Sequence, residues 1–182
     1  MLIRRVVTGS SKDGQSIILS DGPSPRVADF KHVPGFRNVL LWETLPNPSI
    51  PHPGVDHDPS VTLTSFVPPP GGTNLMVVDF PPDAVMTRPE FDPTAAGAEY
   101  FSRLPGLAET FEIANPGMHT TDTVDYGVVL EGEIVLELDS GMTKTLHKYD
   151  VVIQNGTRHA WRNPGTTTAT MLFVLMGAHR EK

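Results

Sequence analysis

Gly117-Met118-His119-Thr120-Thr121-Asp122-Thr123-Val124-Asp125 is the stretch that decides the fold. Side chains two apart on an extended strand share a face. His119, Thr121, Thr123 and Asp125 therefore point one way if the strand is unbroken. A second stretch, Gln154-Asn155-Gly156-Thr157-Arg158-His159, continues through Trp161 to Asn163. It places His159, Trp161 and Asn163 on one face of another strand.

Outward from these stretches the pattern is strand after strand. Thr123–Leu130 runs into Gly132, and Ile134, Leu136 and Leu138 then alternate with Val135, Glu137 and Asp139. Ser140-Gly141 has hairpin-turn composition. Thr143–His147, Asp150–Ile153, His159–Asn163 and Thr170–Met176 complete the set. Short strands at a spacing of about 8–12 residues argue a sandwich or closed barrel. Upstream, Asn74–Phe80 reads as a strand, as do Arg4–Val7, Ser16–Leu19 and Phe36–Leu45, the last with Val39, Leu41 and Trp42 seeking burial. Asp92 to Leu104 is the one convincing helix, capped by Asp92 or Thr94, ended by Pro105-Gly106, with Tyr100, Phe101 and Leu104 as its apolar face. Between Asn47 and Ser60, prolines accompany His52, Asp56, His57 and Asp58. Without regular spacing these four read as a solvated loop rather than a metal cluster. No internal repeat is found, so residues 1–182 form one domain, with N-terminal strands and loop over 1–65 and a barrel core over 66–182.

Composition narrows the function. The 182 residues include 16 Gly and 18 Pro, which disfavours long helices. Net charge is −7, and no Lys/Arg cluster exceeds a pair, so neither nucleic acid nor an anionic membrane is an expected partner. The chain has no cysteine, which removes disulfides, thiolate nucleophiles and Cys-based zinc sites. No apolar h-region follows Arg4-Arg5, and no apolar run approaches the ~18 residues of a membrane span. A cytoplasmic protein is the expectation.

The two stretches resemble the signature motifs of the cupin superfamily. His119 stands at the first His of the first motif, Asp125 at its Glu and Gly132 at its closing Gly. Gly156, His159 and Asn163 stand at the turn Gly, the His and the Asn of the second motif. The resemblance covers about Asn74 to Gly177 and implies an all-β, jelly-roll barrel with the N-terminal strands as an added sheet. Departures are present. Thr121 occupies the place of a second His, Asp125 is one methylene shorter than Glu, Tyr149 precedes Asp150 where Gly is preferred, and Gln154 stands at a Pro.

Bringing the two polar faces together inside one barrel gives His119, Asp125 and His159 as catalytic residues and metal ligands. Two imidazoles and a carboxylate can form a facial triad with positions open to substrate or water. Such a site suits Fe(II), with Mn, Ni, Co or Zn as other candidates, and no organic cofactor is indicated. Thr121, Trp161 and Asn163 would orient a small organic substrate for oxygenation, isomerisation, dehydration or decarboxylation. The alternative is a metal-free, non-catalytic binding barrel in which Asp125 accepts hydrogen bonds from His119, His159 or Thr121. Arg158, adjacent to His159, should point away into solvent, and Tyr126 should face an outer layer or a partner. The N-terminal strands carry apolar residues beyond the needs of one barrel, so a homodimer is expected.

Overall fold

A short amphipathic strand buries its apolar face only by joining a sheet and packing that sheet on another element. In a computed structural model, which describes residues 2–51 and 57–181, the segments do this almost wherever the alternation occurs. The elements in chain order are β1 (Arg4–Ser10), β2 (Ser16–Pro23), β3 (Arg26–Asp29), β4 (Arg37–Thr44), the single turn α1 (Pro59–Thr62) and β5 (Thr73–Phe80). They continue with α2 (Pro93–Arg103), β6 (Thr123–Glu131), β7 (Glu133–Glu137), β8 (Thr143–His147), β9 (Val151–Asn155), β10 (Ala160–Arg162) and β11 (Ala169–Gly177).

Among the described residues the strands form a six-stranded sheet, β3-β4-β5-β11-β6-β9, a three-stranded sheet, β10-β7-β8, and the separate ribbon β1-β2. Every pairing is antiparallel. The core lies between the two larger sheets. Leu40, Met76, Val78, Val129, Met171 and Phe173 meet Ile134, Leu136 and Leu146 there. The result is the all-β jelly-roll barrel that the resemblance implies, in keeping with the sandwich or closed barrel argued from the strand spacing.

Several details depart from the sequence reading. β3 was not anticipated. With β4 it joins the same sheet as β5, so position 65 marks a loop rather than a division of the core. Only β1-β2 stands apart. Arg5 ties this ribbon to the barrel by donating to the Leu41 carbonyl at 2.8 Å, lying 5.6 Å from the Trp42 ring centroid, and pairing with Asp58. Asp58 also caps α1 by accepting from the Ser60 amide, which gives it a structural job. His57 is exposed, and His52 and Asp56 lie outside the described residues.

Helix α2 is capped by Asp92, whose side chain accepts from the Thr94 and Ala95 amides. Tyr100 and Leu104, four residues apart, share its inward face, whereas Phe101 is rotated about 100° from Tyr100 and is exposed. The β7–β8 turn has left-handed backbone at both Ser140 and Gly141, as a two-residue primed hairpin turn requires. No helix among the described residues is long and apolar enough to cross a membrane.

The feature that positions the polar residues is a corner. His119 exchanges both backbone hydrogen bonds with His159, at 2.9 and 3.0 Å, extending the small sheet beyond β10. The chain then turns and enters the large sheet as β6 at Thr123. Arg180 fastens this corner, donating to the Thr121 carbonyl at 2.8 Å, the Gly156 carbonyl at 3.0 Å and the Asp122 carboxylate at 2.6 Å. Gly156 has φ +60°, and a Cβ there would sit 3.3 Å from the Thr121 carbonyl oxygen and 3.1 Å from the Arg180 guanidinium. Glycine is therefore the residue that lets the corner close.

Candidate functional site

The two histidines come together. Their ring centroids are 4.3 Å apart with an interplanar angle of 50°, a direct result of facing each other across a backbone-bonded pair. Each ring reaches back along its own strand. Nδ1 of His119 lies 3.0 Å from the Gly117 carbonyl, and Nδ1 of His159 lies 2.9 Å from the Thr157 carbonyl. A carbonyl only accepts, so each Nδ1 carries the proton and each Nε2 keeps its lone pair. Burial opposes charging both rings. His119 is held below the usual histidine range by desolvation, against the Gly117 hydrogen bond. His159 is pushed down to about 4 by desolvation and by the neighbouring His119, against the Thr157 carbonyl. The pair is neutral near pH 7.

Asp125 is also buried, and its Oδ1 has no hydrogen-bond partner. Desolvation raises its carboxyl to about 6, with Thr123 pulling the other way. Thr121 and Thr123 are buried beside one another, and the Thr123 hydroxyl donates to Thr121 Oγ1 at 2.7 Å. The alternation of buried and more exposed residues through His119, Thr121, Thr123 and Asp125 matches the shared face expected from the sequence.

The strand is nevertheless interrupted at the corner, and this alters the expected ligand set. His119 pairs in the small sheet, whereas Asp125 pairs with Leu175 and Gln154 in the large one. Among the described residues, no three His, Cys, Asp or Glu side chains converge so as to hold a metal ion. The donor chemistry of His119 and His159 does suit a divalent transition metal, since neutral imidazoles with Nδ1 bonded to carbonyls present Nε2 in the ligating form. Asp125 does not join them, and neither does it accept hydrogen bonds from them. The structure brings the histidines together as a pair and places the Asp125 carboxyl in the large sheet.

Of the residues expected to orient substrate, Trp161 lies beside the histidine pair. Its ring is 5.7 Å from His159 and 5.5 Å from Phe173. Asn163 does not serve as expected, because its side chain is consumed by the backbone. Nδ2 donates to the Phe80 and Thr167 carbonyls at 2.9 and 2.8 Å, and Oδ1 accepts from the Gly165 amide at 3.1 Å. This fixes the loop between β10 and β11.

Arg158 is engaged rather than free in solvent. It grips Glu112 through Nε at 2.5 Å and Nη2 at 2.7 Å, and Asp139 through Nη1 at 2.7 Å. The guanidinium holds the Glu112 carboxyl down at about 2, with Asn115 assisting. Glu112 follows Phe111, which pairs with His119 and lies 4.7 Å from its ring. The sequence offered only adjacency to His159, and the partner of Arg158 is too distant in the chain to be read. Gln154 was also missed, since it registered only as a substituted Pro. Two surface hollows of about 400 Å3 each, one beside Arg26 and Arg103 and one beside Arg158 and Arg162, touch none of His119, Asp125 and His159.

Known proteins bear on this site. A family model described as "Cupin domain" matches residues 111–175, which contain both histidines and Asp125. Oryzines biosynthesis cluster protein J of Aspergillus oryzae is 36% identical over 126 residues, covering 69% of this chain and 66% of that protein. Phomopsin biosynthesis cluster protein C' of Diaporthe leptostromiformis is 52% identical over 62 residues, covering 34% of this chain and 33% of that protein. The cupin-domain-containing oxidoreductase virC of Hypocrea virens is 40% identical over 62 residues, covering 32% of each chain. The matched segments thus span about two thirds of the first relative and about a third of the other two.

The buried titratable groups imply a specific pH response in metal-free protein. Asp125, with its carboxyl raised to about 6, stabilises the fold while protonated and loses that contribution as pH rises from about 4 through 6. His159, lowered to about 4, acts oppositely, since its contribution is full above about 6.5 and is lost as pH falls towards 4. The two oppose one another in the wild type. Asp125→Asn removes one of them, so its stability relative to wild type should rise by about 2–3 kcal/mol between pH 4 and 7. Urea midpoints of chelator-treated proteins at the two pH values measure this. A constant difference would mean that Asp125 titrates normally.

Proposed function

Because the chain belongs to the cupin superfamily, we propose that it is an enzyme acting on a small organic molecule inside the barrel, with a divalent transition metal on Nε2 of His119 and His159. The observation that carries this reading is the neutral, tautomer-locked histidine pair with both Nε2 lone pairs unspent. When bound, the metal supplies Lewis-acid or redox chemistry at a substrate oxygen. Fe(II) is the first candidate, followed by Mn, Ni, Co and Zn, all of which accept imidazole.

The chain's own residues have separate tasks in this proposal. The carbonyls of Gly117 and Thr157 hold the rings in one tautomer. Asp125 holds or moves a proton at Oδ1, since a carboxyl raised to about 6 exchanges protons near neutrality. Thr121 and Trp161 contact the substrate. The names of the relatives, two biosynthesis-cluster proteins and an oxidoreductase, support oxidation of a biosynthetic intermediate ahead of isomerisation, dehydration or decarboxylation.

Assembly is part of the proposal. The ribbon β1-β2 leaves Val6, Ile17 and Ile18 exposed, and a second copy of the chain covering them would remove that apolar surface from water. Light scattering should give about twice the 19.8 kDa chain mass, and Ile18→Lys should return it to one chain. A wild type that stays monomeric at tens of micromolar would contradict the dimer.

The metal is tested directly by elemental analysis. Protein reconstituted with Fe(II), Mn(II), Ni(II), Co(II) or Zn(II) should retain about one ion per chain for at least one of them. The double variant His119→Ala/His159→Ala should retain none while its β-sheet circular dichroism persists. Asp125→Asn should still bind the ion. Retention far below one per chain in every reconstituted wild-type sample would overturn the metal and leave a metal-free binding barrel.

A further inference from the structure

Gln154 is the polar residue that neither the sequence motifs nor the histidine pair accounts for. It is 5% exposed, its Oε1 accepts from the Thr157 hydroxyl, and its Nε2 is buried without an acceptor. In the large sheet it stands directly opposite Asp125, whose Oδ1 is buried without a donor. Directly paired residues on neighbouring strands share a face, so one unspent donor and one unspent acceptor stand side by side on the interior of the sheet. The Thr157 hydroxyl fixes the carboxamide, and the donor and acceptor do not satisfy each other.

The adjacent row of the same sheet is aromatic. Phe173 pairs with Gly127, two residues from Asp125. The ring lies over that glycine, because a Cβ there would come within 3.2 Å of Phe173 Cε1. Trp161 continues the wall 5.5 Å away and links it to His159 at 5.7 Å. Both the indole and Phe80, which touches Phe173 from the other side at 6.3 Å, are only half-buried. The Trp161 and Phe173 rings, tilted 59° to one another one row from a donor–acceptor pair, suit a ligand that combines an aromatic ring with a complementary polar edge.

We infer that the barrel takes an aromatic carbonyl compound with a neighbouring N–H or O–H: Gln154 Nε2 donates to its carbonyl oxygen, Asp125 Oδ1 accepts from its N–H or O–H, and Trp161 and Phe173 pack against its ring. The inference deepens the small-molecule reading above and rests on it for the location of the site. A neutral group is favoured over a carboxylate, because the buried Asp125 carboxylate repels a second negative charge. Leaving buried polar atoms unmatched costs the empty protein stability that a matching ligand restores.

Benzamide is the probe, since it carries the ring, the carbonyl and the N–H together. Ligand-observed NMR titrations are run on full-length, chelator-treated protein, so the result stands independently of the metal assay. Wild type should bind benzamide saturably at pH 7.5, and both benzoate and cyclohexanecarboxamide more weakly. Gln154→Met, which keeps the length and removes the donor, should weaken benzamide binding by about five- to tenfold. Its melting temperature without ligand should be unchanged or higher, a readout that a structural role for Gln154 would move downward. Absence of saturable benzamide binding, indifference to Gln154→Met, or a lowered melting temperature in that variant would each overturn the inference.

Discussion

The backbone pair between His119 and His159 is the constraint from which the site follows. Two hydrogen bonds across that pair bring a segment from before β6 alongside β10 and hold the two rings at 4.3 Å. Each imidazole then bonds the carbonyl two residues back on its own strand, so the arrangement is nearly symmetric. The geometry decides tautomer and charge together. Rings this close and this buried repel as cations, and a carbonyl at each Nδ1 leaves the neutral Nδ1–H form as the satisfied state. Breaking the pair would release both rings at once.

The rim is built to protect that pair. Arg158 clamps Glu112, Arg162 bonds the Pro116 carbonyl and Glu137, and Arg180 fastens Asp122 and the carbonyls of Thr121 and Gly156. Each guanidinium connects segments distant in the chain, and together they hold the loop before His119 and the turn before His159. Ion pairs this accessible to water add little net stability. Their larger effect is geometric, because planar forks fix the distance between loops that strands alone do not reach. Charge thus stays on the rim while the interior holds neutral imidazoles and one carboxyl with a raised pKa.

Much of the fold was legible because its signals are local. Apolar alternation located β6, β7 and β11, Ser140-Gly141 marked a primed turn, and Asp92 announced the start of α2. β3 escaped because Arg26–Asp29 has four residues and no alternation long enough to stand out. The polar face of His119, Thr121, Thr123 and Asp125 was likewise readable from parity. What parity cannot convey is the corner between residues 119 and 123. A strand read as straight carries Asp125 to the histidines, whereas the bent chain delivers it to a different sheet. Asn163 and Gln154 show the same limit from opposite sides. Asn163 sits at a motif position but serves the backbone, and Gln154 sits at a departure from the motif but faces Asp125 through a pairing that only the sheet register reveals.

The account stands on two neutral rings with protonated Nδ1 and unprotonated Nε2. Long-range nitrogen–proton NMR on isotope-labelled, metal-free protein reads tautomer and charge at each histidine. His119 and His159 should both appear as the Nδ1–H tautomer at pH 7, and His159 should remain neutral as pH is lowered to about 5. Nε2–H tautomers, or rings that titrate together near the ordinary histidine value of about 6.5, would contradict it.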